Sequence, residues 1–243
     1  MSIIDSGAPV LVGSVSGAFG SWTTIWTPPE SLDCLFIVVS NDPGGTVQVG
    51  FYDVGVGATP ASILPNGYDI FTNTPPRCLT YPFRFPAGVP ISVRAEETAG
   101  TAGNLAVLMY GYTSGCSPYP VCATSQILTL TGGANNLGPI STTAPGTLYG
   151  TSLGLKSKMM EIFLEGTTGA GGETDQFDVG VFAGPSSTSL EPIVRHIYSG
   201  QYGTTQSSIA APLVAKIPPS QEIYLLLNSA LGFTVSGCVR LFY

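Results

Sequence analysis

Catalysis by side chains needs titratable groups brought together, and this sequence offers few of them. Its single histidine, His196, stands in Ile193-Val-Arg-His-Ile-Tyr198. A Ser-His-Asp triad around it would want a Gly-x-Ser-x-Gly nucleophile turn, and no such turn is expected. Cys-His chemistry would need the same histidine beside Cys34, Cys78, Cys116, Cys122 or Cys238, and no local signature brings them together. His196 therefore reads as a strand or loop histidine hydrogen-bonded locally. Paired carboxylates hydrolyse glycosides, but Glu96-Glu97 adjoin on a strand, where successive side chains point to opposite faces. Glu173, Asp175 and Asp178 follow the glycine-rich Thr167-Thr-Gly-Ala-Gly-Gly172. Carboxylates in such a loop bind calcium, yet the spacing of an EF-hand is missing, and a solvated loop is expected.

Cys116 and Cys122, across Ser-Pro-Tyr-Pro-Val, are near enough for a disulfide or a metal clip, and the same turn would equally hold two idle thiols. Zinc would want further Cys or His partners, so no metal and no cofactor is expected. The odd cysteine count argues against a secreted disulfide framework. Gly44-Gly45, Gly132-Gly133 and Gly169-Ala-Gly-Gly172 lack the Lys-Ser/Thr of a P-loop and read as hairpin and loop glycines. No enzymatic activity is expected from this set. Aromatic residues offer a binding chemistry instead. Trp22 and Trp26, four apart on a strand, share one face with Thr24. Exposed, they would stack on sugar rings; buried, they are sandwich core, where Trp and Tyr usually put their area. Tyr68, Tyr81, Tyr198 and Tyr202 lie near Pro and Gly, where they would line a protein or glycan contact. Trp22, Trp26, Tyr68 and Tyr202 are the candidate contact residues.

The elements that must position these side chains are β-strands. Of 243 residues, 44% are hydrophobic and only 9% charged, while Gly (31) and Pro (20) fill about a fifth of the chain. An average domain carries roughly 25% charge and about 12% Gly plus Pro. This balance excludes disorder, which needs low hydrophobicity, and coiled coils, which live on Ala, Glu, Lys and Leu. Eight Lys+Arg against fifteen Asp+Glu leave a net charge of −7 and no basic stripe, so no nucleic-acid partner is expected. Met1-Ser-Ile-Ile-Asp5 lacks the basic and apolar regions of a signal peptide, and no apolar run reaches a membrane span, so no membrane partner is expected. Gly or Pro interrupts every helical window. What recurs is short runs of Val, Ile, Phe, Tyr and Thr between turns. In the first half these are Trp22–Trp26, Cys34–Ser40, Thr46–Val54, Tyr81–Phe85, Pro90–Ala95 and Leu105–Tyr112.

The chain also matches itself. Val49-Gly-Phe-Tyr52 reappears as Val179-Gly-Val-Phe182, 130 residues on. Pro82-Phe-Arg-Phe-Pro86 before Ile91–Ala95 answers to Pro212–Pro218 before Ile223–Leu227, and Leu105–Tyr112 answers to Thr234–Tyr243. The offset drifts only from 130 to 132, and the order is collinear. An internal duplication follows. It gives two tandem antiparallel β-sandwich or jelly-roll domains, 17–113 and 126–243, with a linker at 114–125 and an N-terminal arm or first strand at 1–16. An immunoglobulin domain fits less well, with no Trp on the expected strand and no Cys pair across it. Residues 1–113 hold three basic and eight acidic groups and residues 126–243 five and seven, so low charge belongs to the repeated unit.

Tyr81-Pro-Phe-Arg-Phe-Pro-Ala-Gly-Val-Pro-Ile-Ser-Val-Arg-Ala95 resembles a signature found in virion proteins of tailed bacteriophages. The second copy keeps Pro212, Pro218 and Ile223, but has Pro-Ser for Ala-Gly and Leu226 where Arg94 stands. The resemblance covers about 60 residues of each copy. It implies a structural protein similar to capsid decoration (cement) proteins, made in the host cytoplasm and carried on the outside of the phage particle. Its implied partners are the major capsid protein and two further copies of itself in a homotrimer. The alternative is a tail, baseplate or head-fibre module that binds host-surface glycan.

Overall fold

The computed structural model describes residues 2–41, 49–63, 69–72, 77–97, 103–128, 138–167, 176–200, 207–213, 215–229 and 234–243. Among them there is no helix. The chain divides into two compact units, Met1–Thr124 and Ser125–Tyr243. The first holds β1 (Ile3–Asp5), β2 (Val10–Ser16), β3 (Thr23–Trp26), β4 (Leu32–Asn41), β5 (Val49–Val56), β6 (Ala61–Ser62), β7 (Asp69–Thr72), β8 (Arg77–Tyr81), β9 (Ile91–Glu97) and β10 (Asn104–Thr113). The second holds β11 (Ser125–Leu128), β12 (Gly138–Pro139), β13 (Thr147–Thr151), β14 (Met159–Thr167), β15 (Gln176–Gly184), β16 (Glu191–Gly200), β17 (Ser207–Leu213), β18 (Glu222–Ser229) and β19 (Thr234–Phe242).

The pairing is the same in both. In the first unit β1 and β2 lie along β10, followed by β4 and β8, while β3, β9 and β5 lead to β6 and β7. In the second β11 and β12 lie along β19, followed by β14 and β17, while β13, β18, β15 and β16 form the other sheet. Counting each split strand once, both units have eight strand positions, ordered 1-8-3-6 in one sheet and 2-7-4-5 in the other. That is the winding of a jelly roll. In the first unit β2 serves both sheets: Val10–Gly13 pair antiparallel with β10, and Ser14–Ser16 run parallel to β9.

Alternation sorts the side chains between core and surface. On β10, Leu105, Val107 and Met109 are fully buried, while Ala106, Leu108 and Tyr110 between them are half-buried. Each fully buried aliphatic side chain contributes about 1.5–3 kcal/mol, so these inward rows dominate the stability. The first core also holds two tyrosines, whose hydroxyls satisfy one another (Tyr52 Oη to Tyr81 Oη, 3.1 Å). The second core is aliphatic around Ile162, Leu164, Val179, Val181, Leu225 and Val239.

Local irregularities repeat with the topology. β3 bulges against β9 between Thr24 and Trp26, and β13 bulges against β18 between Leu148 and Gly150. The turn ahead of β9 puts Gly88 at φ +74°, and the turn ahead of β18 puts Ser220 at φ +57°. The Gly88 N–H donates to Pro28 O at 2.8 Å, as that of Ser220 does to Leu153 O at 2.9 Å. These features pair Ile91 with Ile223 and Pro86 with Pro218, the offset expected from sequence. At β5 the structural match is different. Val54 opposes Val93 and Val181 opposes Leu225, so Val54 answers to Val181, and Tyr52 to Val179. The likeness of Val49-Gly-Phe-Tyr52 to Val179-Gly-Val-Phe182 is therefore three residues out of register, and an odd slip exchanges the faces of a strand.

Other expectations move by a few residues. The strand expected at Tyr81–Phe85 lies earlier, at β8, because Pro82 and Pro86 supply no N–H to a ladder. Residues 3–5 and 10–16 are strands of the first jelly roll. The stretch after β10 is bonded to the same unit, through Ser114 N–H to Ser31 O (2.9 Å) and Cys122 N–H to Pro82 O (2.7 Å).

Candidate functional site

The outer face of the β3-β9-β5 sheet carries a charged and aromatic group. Tyr52 and Val54 point into the core, which turns Asp53 outward; Val93 and Ala95 do the same for Arg94. The two are directly opposed in the ladder. Arg94 Nη2 and Nε donate to Asp53 Oδ2 at 2.8 and 3.1 Å, and the Ser62 hydroxyl donates to Oδ1 at 2.6 Å. Asp53 is nevertheless fully buried, because residues between β2 and β3 fold back over the sheet. Phe19 and Trp22 from that segment flank the Arg94 guanidinium, with ring centroids 4.8 and 4.5 Å away. Burial pushes the Asp53 carboxyl above its usual range, against the pull of Ser62 and Arg94. Thr24 and Ser92 share a hydroxyl hydrogen bond of 3.2 Å on the same face. Gly55 makes room for Trp22: a Cβ there would stand 2.8 Å from the indole ring.

Of the expected contact residues, Trp22 is half-buried in this group and Trp26 is buried at 7% exposure. They do not share a face, because the bulge in β3 breaks the alternation between them. Tyr68 and Tyr202 lie outside the described residues. Cys116 stands as a free thiol, so no bridge joins it to Cys122; the Cys122 thiol donates to Pro120 O at 3.5 Å. Glu96 is half-buried and Glu97 buried, on opposite faces of β9. No group of three or more metal-ligating side chains occurs among the described residues. Contrary to expectation, Gly150-Thr-Ser-Leu-Gly154 does have the Gly-x-Ser-x-Gly form. It leaves edge strand β13 for a loop and not a helix, so it is no nucleophile elbow. Ser152 is buried, donating to Pro218 O at 3.2 Å and accepting from Gln221 N–H at 2.9 Å.

The second unit replaces the whole first-unit group. In register, Asp53 and Arg94 become Gly180 and Leu226, again directly opposed. Trp22, the residue before β3, becomes Gly146, the residue before β13, and Gly55 becomes Phe182. The Phe182 ring lies over Gly180, 2.8 Å from where a Cβ would stand. The second unit has a buried ion pair of its own on its other sheet, Glu161 Oε2 to Arg240 Nη1 at 3.5 Å, directly opposed on β14 and β19. At the matching place the first unit stacks Phe36 on Tyr110, with centroids 5.0 Å apart. Sequence reading missed both pairs. Their signal was a charged residue at an alternating position, but the partner sits 41 residues away in one case and 79 in the other.

No family model matches the chain, and no curated protein matches it in sequence. Solved structures resemble it at length. A chain in the structure of Sulfolobus turreted icosahedral virus is 9% identical, covering 100% of this chain and 90% of that one with a TM-score of 0.44. The N-terminal tandem CBM22 domains of Xyn10C from Paenibacillus barcinonensis are 10% identical, covering 97% and 87%, with a TM-score of 0.30. The glycosylasparaginase PNGase F from Flavobacterium meningosepticum is 11% identical, covering 99% and 95%, with a TM-score of 0.33. At such identity no role passes from them to this chain. One correction does follow. An enzyme stands among these neighbours, so the expectation of no enzymatic activity, which rested on missing local signatures, is withdrawn.

Proposed function

We propose that this protein is a structural component of a virus particle, a cement protein on the outside of a tailed-phage head. It would act as a homotrimer bridging neighbouring major capsid proteins, burying apolar area that opposes outward pressure from packaged DNA. The observation that carries this reading is an exposed apolar row on β1 and β2. Ile3 (52% exposed), Leu11 (51%) and Val15 (45%) all lie on the outward face. The one charge in this segment, Asp5, is turned back onto the Gly7 N–H at 2.9 Å. Scattered exposed aliphatics need no explanation, but apolar side chains exposed together on consecutive strands suit contact with a neighbour. The low charge of both jelly rolls supports the same reading. The test is to count copies in purified particles by quantitative mass spectrometry. A simple ratio to the capsid subunit is expected, and a few copies per particle would overturn the proposal.

A second reading, binding of host-surface glycan, draws on the half-buried Trp22 beside Arg94, Thr24 and Ser62. It predicts signal on a glycan array that Trp22→Ala abolishes. An array without signal removes it.

A further inference from the structure

Residues 17–22 cross the outer face of the β3-β9-β5 sheet and make two backbone bonds to it. Gly17 N–H donates to Glu97 O at 3.0 Å, and Gly20 N–H to Ala95 O at 2.9 Å. Their side-chain hold is Arg94, gripped between Phe19 and Trp22 and anchored from below by Asp53. Underneath, Asp53 is 0% and Ser92 1% exposed. In the second unit the same face is finished differently. The aromatic ring comes from the strand itself, as Phe182 over Gly180, while Trp22, Asp53 and Arg94 give way to Gly146, Gly180 and Leu226. These exchanges depend on one another: a ring from the crossing segment needs Gly55 beneath it, whereas a ring from the strand needs a glycine two residues before. The first unit's face is thus covered by rings from a connecting segment, and the second unit's by a ring of its own strand.

We propose that residues 17–22 are a strap, latched by the Phe19-Arg94-Trp22 stack, that opens as a unit while both jelly rolls stay folded. Among the described residues its backbone bonds to the sheet are that of Gly17, at the end of the β2–β9 pairing, and that of Gly20, and neither joins strands that neighbour in the eight-position order, so its opening is separate from global unfolding. When open it uncovers a polar face of a carboxylate, a guanidinium and the hydroxyls of Ser62, Ser92 and Thr24. Such a face suits a hydroxyl-rich ligand, and the strap is the lid over it.

Native-state hydrogen exchange on the full chain tests this, read at Gly17 and Gly20 against β9 and β18. In the wild type the strap amides should exchange faster than β9 and with little dependence on added denaturant. Two variants weaken the latch without touching the strap. Gly55→Ala pushes Trp22 off the guanidinium, and Asp53→Gly with Arg94→Leu writes in the pair of the second unit. Each should speed strap exchange about tenfold, with β18 unchanged. The proposal is overturned if the wild-type strap exchanges in step with β9, a result that needs no variant to fold. It is also overturned if both variants leave strap exchange where it was.

Discussion

Asp33 shows how one carboxylate holds a chain crossing. At 5% exposure it accepts the Gly115 N–H at 2.6 Å, the Ser114 hydroxyl at 3.1 Å and Arg84 Nε and Nη2 at 3.3 Å. The Gly115 N–H is the main reason its carboxyl lies below the usual range; burial opposes it, and Ser114 and Arg84 assist. Arg84 is 67% exposed, so its share is at most about 1 kcal/mol. Asp33→Ala should cost about 1–3 kcal/mol at neutral pH, because Gly115 loses its acceptor. The lowered carboxyl makes this stabilisation complete above the unfolded value of about 3.9 and lost as pH falls through the folded one. Melting curves of wild type and variant should therefore converge in acid. Asp53 has the opposite sign, since protonation relieves the cost of burying its charge. Glu161 and Arg240 give a second case. Glu161→Ala takes the carboxylate from a buried guanidinium and should cost about 3–5 kcal/mol. Glu161→Phe with Arg240→Tyr, the pair the first unit carries as Phe36 and Tyr110, should recover most of it in urea titrations.

At the scale of elements, bulges and edges decide what the side chains do. The bulge at Ile25 sends Trp26 inward and leaves Trp22 with the strap, so two residues four apart in sequence end on different faces. The equivalent bulge at Tyr149 buries that ring as well, and burial raises its phenol. β2 shows how alternation leaves apolar surface: its inward residues Val12 and Ser14 are buried, while Leu11 and Val15 face outward. Leu11→Lys with Val15→Lys should leave chain stability within about 0.5 kcal/mol, because both side chains are already solvated. If this row is the contact surface, the variant should fail to bind emptied capsid shells in a sedimentation assay. Binding at wild-type level would remove β2 from the contact.

At the scale of the whole molecule, two copies of one winding have kept their irregular turns and bulges while exchanging their buried polar groups. The first unit carries its ion pair on the β3-β9-β5 sheet, the second on the sheet of β14 and β19. Conservation of the winding follows from the core, which is built from inward rows that are mostly apolar. Outer faces are freer to change, and there the copies have diverged. The proposed homotrimer predicts that light scattering on the purified protein gives three times the chain mass. A monomer at micromolar concentration would argue against it.

Strand content and the tandem copies were legible from the amino acids, because composition and alternation act over a few residues. The same local reasoning matched Val49–Tyr52 to Val179–Phe182, and the sheet overruled it, because a likeness of four residues does not say which face is inward. Trp22 was found, but not Phe19, Gly55, Asp53 and Arg94 around it. Those residues meet through the register of β5 on β9 and the return of the chain over the sheet. By itself the sequence determined an all-β, low-charge chain of two related jelly rolls. Only the tertiary structure decided where its charges and rings meet, since pairing distant segments across a ladder is a property of register, which no local pattern contains.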